Sequence, residues 1–154
     1  MDTIDRKILA YLQRDGRMTF TELARCVQLS VSRCQRRVNE LADSGVIRGY
    51  RGIVNAAAVG LGFEVVAFAT LSRADAIHEF DAAIDAVPEI VEAQRLFGEP
   101  DYLIRIVAAD RDAYQRLYDE QLSKLPGLRG LNSTIVMKEV IASRGLPLVR
   151  GHES

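Results

Sequence analysis

The sequence is poor in the residues that build metal and redox sites. Its 154 residues include two cysteines, two histidines and no tryptophan. Cys26, Cys34, His78 and His152 are scattered, and no CxxC, HxxxH or HExxH spacing occurs. A structural zinc site draws its ligands from Cys, His and carboxylates at short, characteristic spacings. These four therefore predict no metal centre, and no cofactor motif is present. The opening Met1-Asp2-Thr3-Ile4-Asp5 is too acidic for a signal peptide. With so few cysteines this predicts reduced thiols and a cytoplasmic protein. Long apolar runs are also missing. The longest, Val54 to Leu71, is broken by Asn55, Gly60, Gly62 and Glu64. A membrane-spanning helix needs about 20 predominantly apolar residues, so no membrane partner is expected.

An excess of positive charge is lacking too. The formal net charge is −1, from 20 Lys/Arg and 21 Asp/Glu. Taken whole, that speaks against a nucleic-acid partner, since such domains tend to be basic. The charge is not evenly spread, however. Residues 1–54 hold ten Lys/Arg and six Asp/Glu, or +4, and residues 55–154 hold ten and fifteen, or −5. Such asymmetry suggests different partners for the two parts. The Gly/Ala-rich run Asn55 to Gly62 lies at the change. The expected division is a first, basic domain over 1–50, a hinge or linker strand over 51–62, and a second domain over 63–154. A domain typically runs about 100–200 residues, so the length permits either one domain or two small ones.

The first fifty residues read as three short helices. Ile4, Ile8, Leu9 and Leu12 recur at helical spacing over 3–14, and Asp15-Gly16 ends the run. Thr19-Phe20-Thr21-Glu22 fits a capping box, opening a helix that buries Leu23, Ala24 and Val27. Gln28-Leu29-Ser30 connects to a third helix, from Val31 to Ser44. There Val31, Cys34, Val38 and Leu41 make one buried stripe, with Cys34 read as a small core residue. Arg33, Arg36, Arg37 and Glu40 stand opposite, and Ser30, Ser32 and Gln35 lie toward the start. Arg pairs bidentately with guanine in the major groove and Gln with adenine. In a helix-turn-helix the preceding helix crosses the phosphate backbone, which makes Thr19, Thr21 and Arg25 candidate phosphate donors. A plain solvated basic face is the competing reading. The short turn, the basic segment within an acidic chain, and Arg48 and Arg51 just beyond the helix favour double-stranded DNA.

The second part repeats itself. Glu64–Leu71 reads as a strand, about 74–86 as a helix, and Ile90–Phe97 as a strand. Tyr102–Ala108, a helix marked by Tyr114, Leu117, Tyr118, Leu122 and Leu125, and Leu128–Val140 repeat that order. Val87-Pro88-Glu89-Ile90 and Leu125-Pro126-Gly127-Leu128 lie 38 residues apart at equivalent places. A duplicated β-α-β unit predicts the ferredoxin-like βαββαβ arrangement, with both helices on one face of the sheet. The class expected for the whole is α+β. Apolar residues at successive positions of the first strand, Val65, Val66, Phe68 and Leu71, suggest that a second copy covers the other face. The loop Phe97-Gly98-Glu99-Pro100-Asp101-Tyr102 reads either as a plain turn or as a binding loop. In the latter case Gly98 would permit close approach and Asp101 would accept from an ammonium group.

These residues together resemble the Lrp/AsnC family, the leucine-responsive and asparagine-type transcription regulators. The likeness is carried by Asp2 to Leu9, Asp15-Gly16-Arg17, Glu22-Leu23-Ala24, Leu29-Ser30 and Arg36-Arg37-Val38 with Leu41. It continues through Gly45 to Tyr50 and Gly98 to Leu103, and so covers nearly the whole chain. It departs at Val31, where Pro is frequent in the family, and at Gly52, where Ala is. The resemblance implies a winged helix-turn-helix and a ferredoxin-like effector-binding and oligomerisation domain. It implies dimers assembling further, often to octamers, on DNA in the nucleoid. It also implies a small-molecule effector, an amino acid, near the 98–102 loop. Gly98, Glu99, Asp101 and Tyr102 are carried over as effector residues, and Ser133 stands where many members have Thr.

Two other functions compete. One is an enzyme on the ferredoxin-like domain using Arg105 and Asn132. No phosphate-cradling Gly-rich loop flanks them and no nucleophile is paired with a base, so no enzyme is expected. The other is an effector-independent architectural protein that bridges DNA.

Overall fold

The computed structural model describes residues 1–148; the last residues assigned above to the second domain, 149–154 with His152, lie outside them. The chain divides into two compact units. One comprises Met1–Ile53 together with the segment that begins at Ile141, and the other is Val54–Val140.

In the first unit, helices form over Thr3–Arg14 (α1), Phe20–Cys26 (α2) and Val31–Asp43 (α3). Two reciprocal capping boxes fix the first two starts: Asp2 with Asp5, and Thr19 with Glu22. Each satisfies backbone N–H groups that a helix start would otherwise leave open. The expected buried stripes meet as Ile8 and Leu9 of α1, Leu23 and Ala24 of α2 with Val27 just beyond it, and Cys34, Val38 and Leu41 of α3. Val31, expected in that last stripe, is instead 43% exposed at the first turn of α3, outside the packed cluster. The turn between α2 and α3 puts Gln28 at φ 56°, a left-handed conformation without the usual glycine. That turn lets the Leu29 amide reach back to Ala24 O at 2.9 Å. Beyond α3, Gly45 at φ 74° reverses the chain, and the Ile47 amide donates to Leu41 O.

No strand forms between residues 44 and 62. The hinge strand expected over 51–62 is replaced, over part of its length, by a 3-10 turn at Ala57–Val59 closed by Gly60 at φ 81°. A strand needs a partner for its backbone groups, and no other strand of the described chain pairs there.

The second unit has strands at Phe63–Leu71 (β1), Ile90–Arg95 (β2), Tyr102–Ala108 (β3) and Leu128–Ile135 (β4), with helices at Ile77–Asp85 (α4) and Arg111–Glu120 (α5). The sheet order is β2-β3-β1-β4, and all neighbours are antiparallel. This is the expected ferredoxin-like arrangement. Register fixes the faces: Ala67 pairs with Ile104 and Ser133, and Ala69 with Tyr102 and Leu131. Val65, Ala67, Ala69, Tyr102, Ile104 and Ile106 thus share one face and form the core with Phe80, Ile84, Leu117, Leu122 and Leu125. The other face presents Val66, Phe68, Thr70, Leu103 and Arg105, all half-buried, beside Asn132 and Thr134. On it Arg105 bonds Glu64 at 2.5 Å and lies 3.8 Å from Glu92.

The last strand is shorter than the expected Leu128–Val140. Its partner β1 begins at Phe63, and after the Val136 amide bonds Glu64 O there is no further ladder to join.

Candidate functional site

The exposed side of α3 carries Ser32, Arg33, Gln35 and Arg36. The Arg36 guanidinium is 70% exposed and lies 3.3 Å from Glu40 one turn on, itself 60% exposed. Such an exposed pair is weak and gives way to a stronger partner. Ser30 occupies the N-cap with extended backbone, yet its side chain makes no capping bond, and the first turn holds no acid. Its hydroxyl lies 3.4 Å from that of Ser32. The start of α3 therefore differs from those of α1 and α2, where a carboxylate closes the end. Free N–H groups with the positive end of the helix dipole suit an anion such as phosphate.

Two of the expected DNA-contacting residues are spent elsewhere. The Thr19 hydroxyl accepts from the Glu22 amide at 3.2 Å and donates to Glu22 Oε2 at 2.7 Å. Arg37 does not join Arg33 and Arg36. Its guanidinium donates to Asp2 at 2.8 Å and Asp5 at 2.7 Å and is only 26% exposed. It therefore ties α3 to the capping box of α1. These bonds, Asp5's first and Asp2's second, hold the Arg37 pKa above its ordinary value. The Asp5 amide first, then Arg37, hold the Asp2 carboxyl below its own. Thr21 and Arg25 of α2 are exposed, as expected.

In the second unit the loop before β3 sorts its residues to different sides. Gly98, at φ 132°, leaves open space where a side chain would stand. Glu99 pairs with Arg129. Asp101 is anchored: its carboxylate accepts from the Leu71 amide at 2.7 Å, and its own amide donates to Ala69 O at 3.0 Å. Tyr102 is 2% exposed and faces the helices, its hydroxyl donating to Asp81 Oδ1 at 2.6 Å. Ser133 also lies on the helix side, accepting from the Tyr114 hydroxyl at 2.6 Å. An open groove of about 370 Å³ runs beside the loop on the opposite face, walled by Phe68, Thr70, Glu99, Pro100 and Asn132. So the fold brings Glu99 to the groove, with Gly98 next to it in the chain, uses Asp101 as the loop's anchor, and turns Tyr102 and Ser133 away.

Residues 1–48 match the family model for a winged helix-turn-helix DNA-binding domain, and residues 64–146 match that for the Lrp/AsnC ligand binding domain. The chain belongs to the Lrp/AsnC family. Among its relatives, the leucine-responsive regulatory protein of Salmonella typhimurium is 37% identical over 95% of this chain and 90% of its own. That of Escherichia coli K12 is 36% identical over the same shares. Among solved structures, a transcriptional regulator from Neisseria meningitidis in complex with L-methionine has a TM-score of 0.91 at 34% identity, covering 96% of this chain and 97% of its own. An AsnC-family regulator from Agrobacterium tumefaciens has a TM-score of 0.88 at 31% identity, with the same coverage.

This Lrp/AsnC protein is thus a DNA-binding transcription regulator with a ligand-binding domain, rather than an enzyme. Arg105 and Asn132, the pair considered for catalysis, both lie on the open sheet face, where Arg105 is held by Glu64. Among the described residues there is no cluster of three or more potential metal ligands, and no helix is long and apolar enough to cross a membrane. Phe68, Thr70, Asn132 and Arg129 were not singled out as binding residues. The signal available for the first three was strand alternation: if Ser133 faces one side, Asn132 faces the other.

Proposed function

We propose that α3 reads DNA through Ser32, Arg33, Gln35 and Arg36, with Ser30, Thr21 and Arg25 on phosphates. Thr19 and Arg37 hold the helices that present them. The observation that carries this reading is the start of α3: an unbonded N-cap serine, no acid in the first turn, and exposed Arg and Gln side chains. Residues 1–50 are the DNA-binding part, and 51–62 the connection to the ligand-binding part.

The ligand is a small molecule, an amino acid, seated at the groove beside Gly98 and Glu99. The L-methionine bound by the Neisseria meningitidis regulator supports that class. Asp101 shapes the loop from behind. The half-buried apolar residues Val66, Phe68 and Leu103 on the open sheet face support a homodimer through this domain, and further assembly to an octamer follows the family pattern. A ligand that prefers one arrangement of the assembled subunits shifts the population and so changes DNA binding. The protein works in the cytoplasm, on the nucleoid.

The test is DNA binding by fluorescence anisotropy across a salt series, with and without each common amino acid. Binding should weaken steeply with salt, because Arg–phosphate contacts release counterions. Arg33→Ala with Arg36→Ala should abolish specific binding while leaving the melting temperature unchanged. Retained specificity would move the reading surface elsewhere. An amino-acid ligand at 100 times its dissociation constant should add about 2.7 kcal/mol of stability. No shift with any amino acid would instead support an effector-independent DNA-bridging protein.

A further inference from the structure

We infer that the segment Gly145–Leu148 is a working part of the DNA-binding unit, clamped by Gln13, and that it positions Arg48 for the DNA backbone. This rests on the DNA-binding reading of that unit. The chain leaves the unit near Ile53 and re-enters it at Ile141. On re-entry it meets α1. Gln13 Oε1 accepts from the Leu146 amide at 2.6 Å, and Gln13 Nε2 donates to the Leu146 carbonyl at 3.2 Å. One side-chain amide thereby satisfies both backbone groups of one residue, as a neighbouring strand would.

The approach is close at the glycine before it. A Cβ on Gly145 would stand 3.1 Å from Gln13 Cβ and 3.2 Å from Gln13 Oε1. Leu148 then packs against the apolar cluster of the three helices. Leu9 and Leu12 of α1, Val46 and Tyr50 of the exit from α3, and Leu146 and Leu148 wall one groove. The re-entering segment thus forms one wall of the groove, with α1 and the exit segment forming the others.

That exit segment has little else to hold it. It forms no strand, and glycines at φ 74° and φ 143° bracket it at Gly45 and Gly49. Its other anchors are the Ile47 amide on Leu41 O, the half-buried Ile47 side chain against the helical core, and the Tyr50 ring over Gly16, where Tyr50 Cδ1 is 3.3 Å from the place a Cβ would occupy. Exposed Arg48 sits between residues that line the groove. Removing that wall frees the segment and with it the guanidinium. Gln13, Leu146 and Leu148 are positioning residues: they touch no DNA and act through Arg48.

The experiment compares the parent chain, a chain ending at Arg144, Gln13→Ala and Arg48→Ala, and adds Arg48→Ala in each of the first two variant backgrounds. Binding to a duplex selected with the parent is measured from 50 to 200 mM salt. Arg48→Ala should lower the slope of log affinity against log salt by about one per bound unit. Gln13→Ala and the shortened chain should lower it by the same amount, and Arg48→Ala should then change nothing further. A contact worth that slope accounts for about a 3.5-fold share of the affinity lost over this salt range. A merely stabilising role would lower the melting temperature but leave the slope intact, and additive losses would equally overturn the inference. Should the shortened chain fail to fold, Gln13→Ala alone decides it. A parent chain whose DNA binding ignores salt would refute the DNA-binding reading instead.

Discussion

Replacing Tyr102 with Phe removes one hydroxyl from a site that is otherwise packed with apolar groups. The ring is 2% exposed, sits 4.7 Å from that of Phe80, and donates its hydroxyl to Asp81 Oδ1 at 2.6 Å. Burial first, and the Asp81 carboxylate second, push the Tyr102 pKa from 10.0 up to about 12. The folded protein therefore holds this proton more tightly than the unfolded chain does. The resulting stability is fully present below pH 10 and is lost as the pH rises through 12. Two pKa units correspond to about 2.7 kcal/mol. At neutral pH the variant loses one hydrogen bond, but Asp81 is 47% exposed, so water can replace the hydroxyl there. That cost is about 1 kcal/mol. Tyr102→Phe should then be the less stable protein at pH 8 and the more stable one above about pH 11, where the gain outweighs the loss. Urea unfolding followed by circular dichroism from pH 8 upward measures both. Groups that touch neither Tyr102 nor Asp81 cancel in the difference between the two proteins. Parallel curves would refute the reasoning. Parallel curves with a changed ligand affinity would return Tyr102 to the effector site.

Other perturbations test separate parts of the structure. Cys26 is exposed, whereas Cys34 is fully buried with its thiol pushed up by that burial; a thiol reagent should modify one cysteine in the native protein and two in urea, and fast native modification of both would contradict the placement. Gly127, at φ 68°, would bring a Cβ within 2.3 Å of Ala76 Cβ. Gly127→Ala should therefore cost about 1–2 kcal/mol for the left-handed backbone alone, plus the clash, and an unchanged melting temperature would be incompatible with this turn. Arg37→Ala should lower the melting temperature at neutral pH, because Asp2 and Asp5 lose their cation. Asp2 is held below its ordinary value of 3.8, so that difference should be present above pH 4 and shrink as the pH falls further. A difference that grew in acid would refute the pairing.

What could be read from the sequence was local. The capping box at Thr19 lies within four residues, and the stripe of Cys34, Val38 and Leu41 follows from helical spacing alone. The second box, at Asp2, was equally local but was not singled out. The duplicated β-α-β unit was legible because each half repeats the same punctuation by proline. What was missed depends on distant partners. Helical spacing puts Arg37 on the polar side of α3, but only the packed helices reveal that Asp2 and Asp5, more than thirty residues earlier, take its charge. Ser133 and Asn132 differ by one residue and therefore by a whole face of the sheet, and the pairing of Ala67 with Ser133 decides which is which. Gly145, Leu146 and Leu148 show no periodicity at all. Their place depends on a single glutamine on α1.

The same pairings sharpen the meaning of the charge. The surplus of +4 in the first 54 residues suggested a basic surface. Yet Arg37 is neutralised by two acids, and Arg36 shares its charge with Glu40. The net surplus of one copy is small, so a single unit should bind DNA weakly even though its exposed arginines meet phosphate. Joining two copies on one DNA makes the second contact intramolecular and can raise the overall affinity by about 10²–10⁴ without any new contact. In the proposed assembly the acidic second domain would supply that joining, and a ligand that alters the spacing of its subunits would act on most of the binding energy at once.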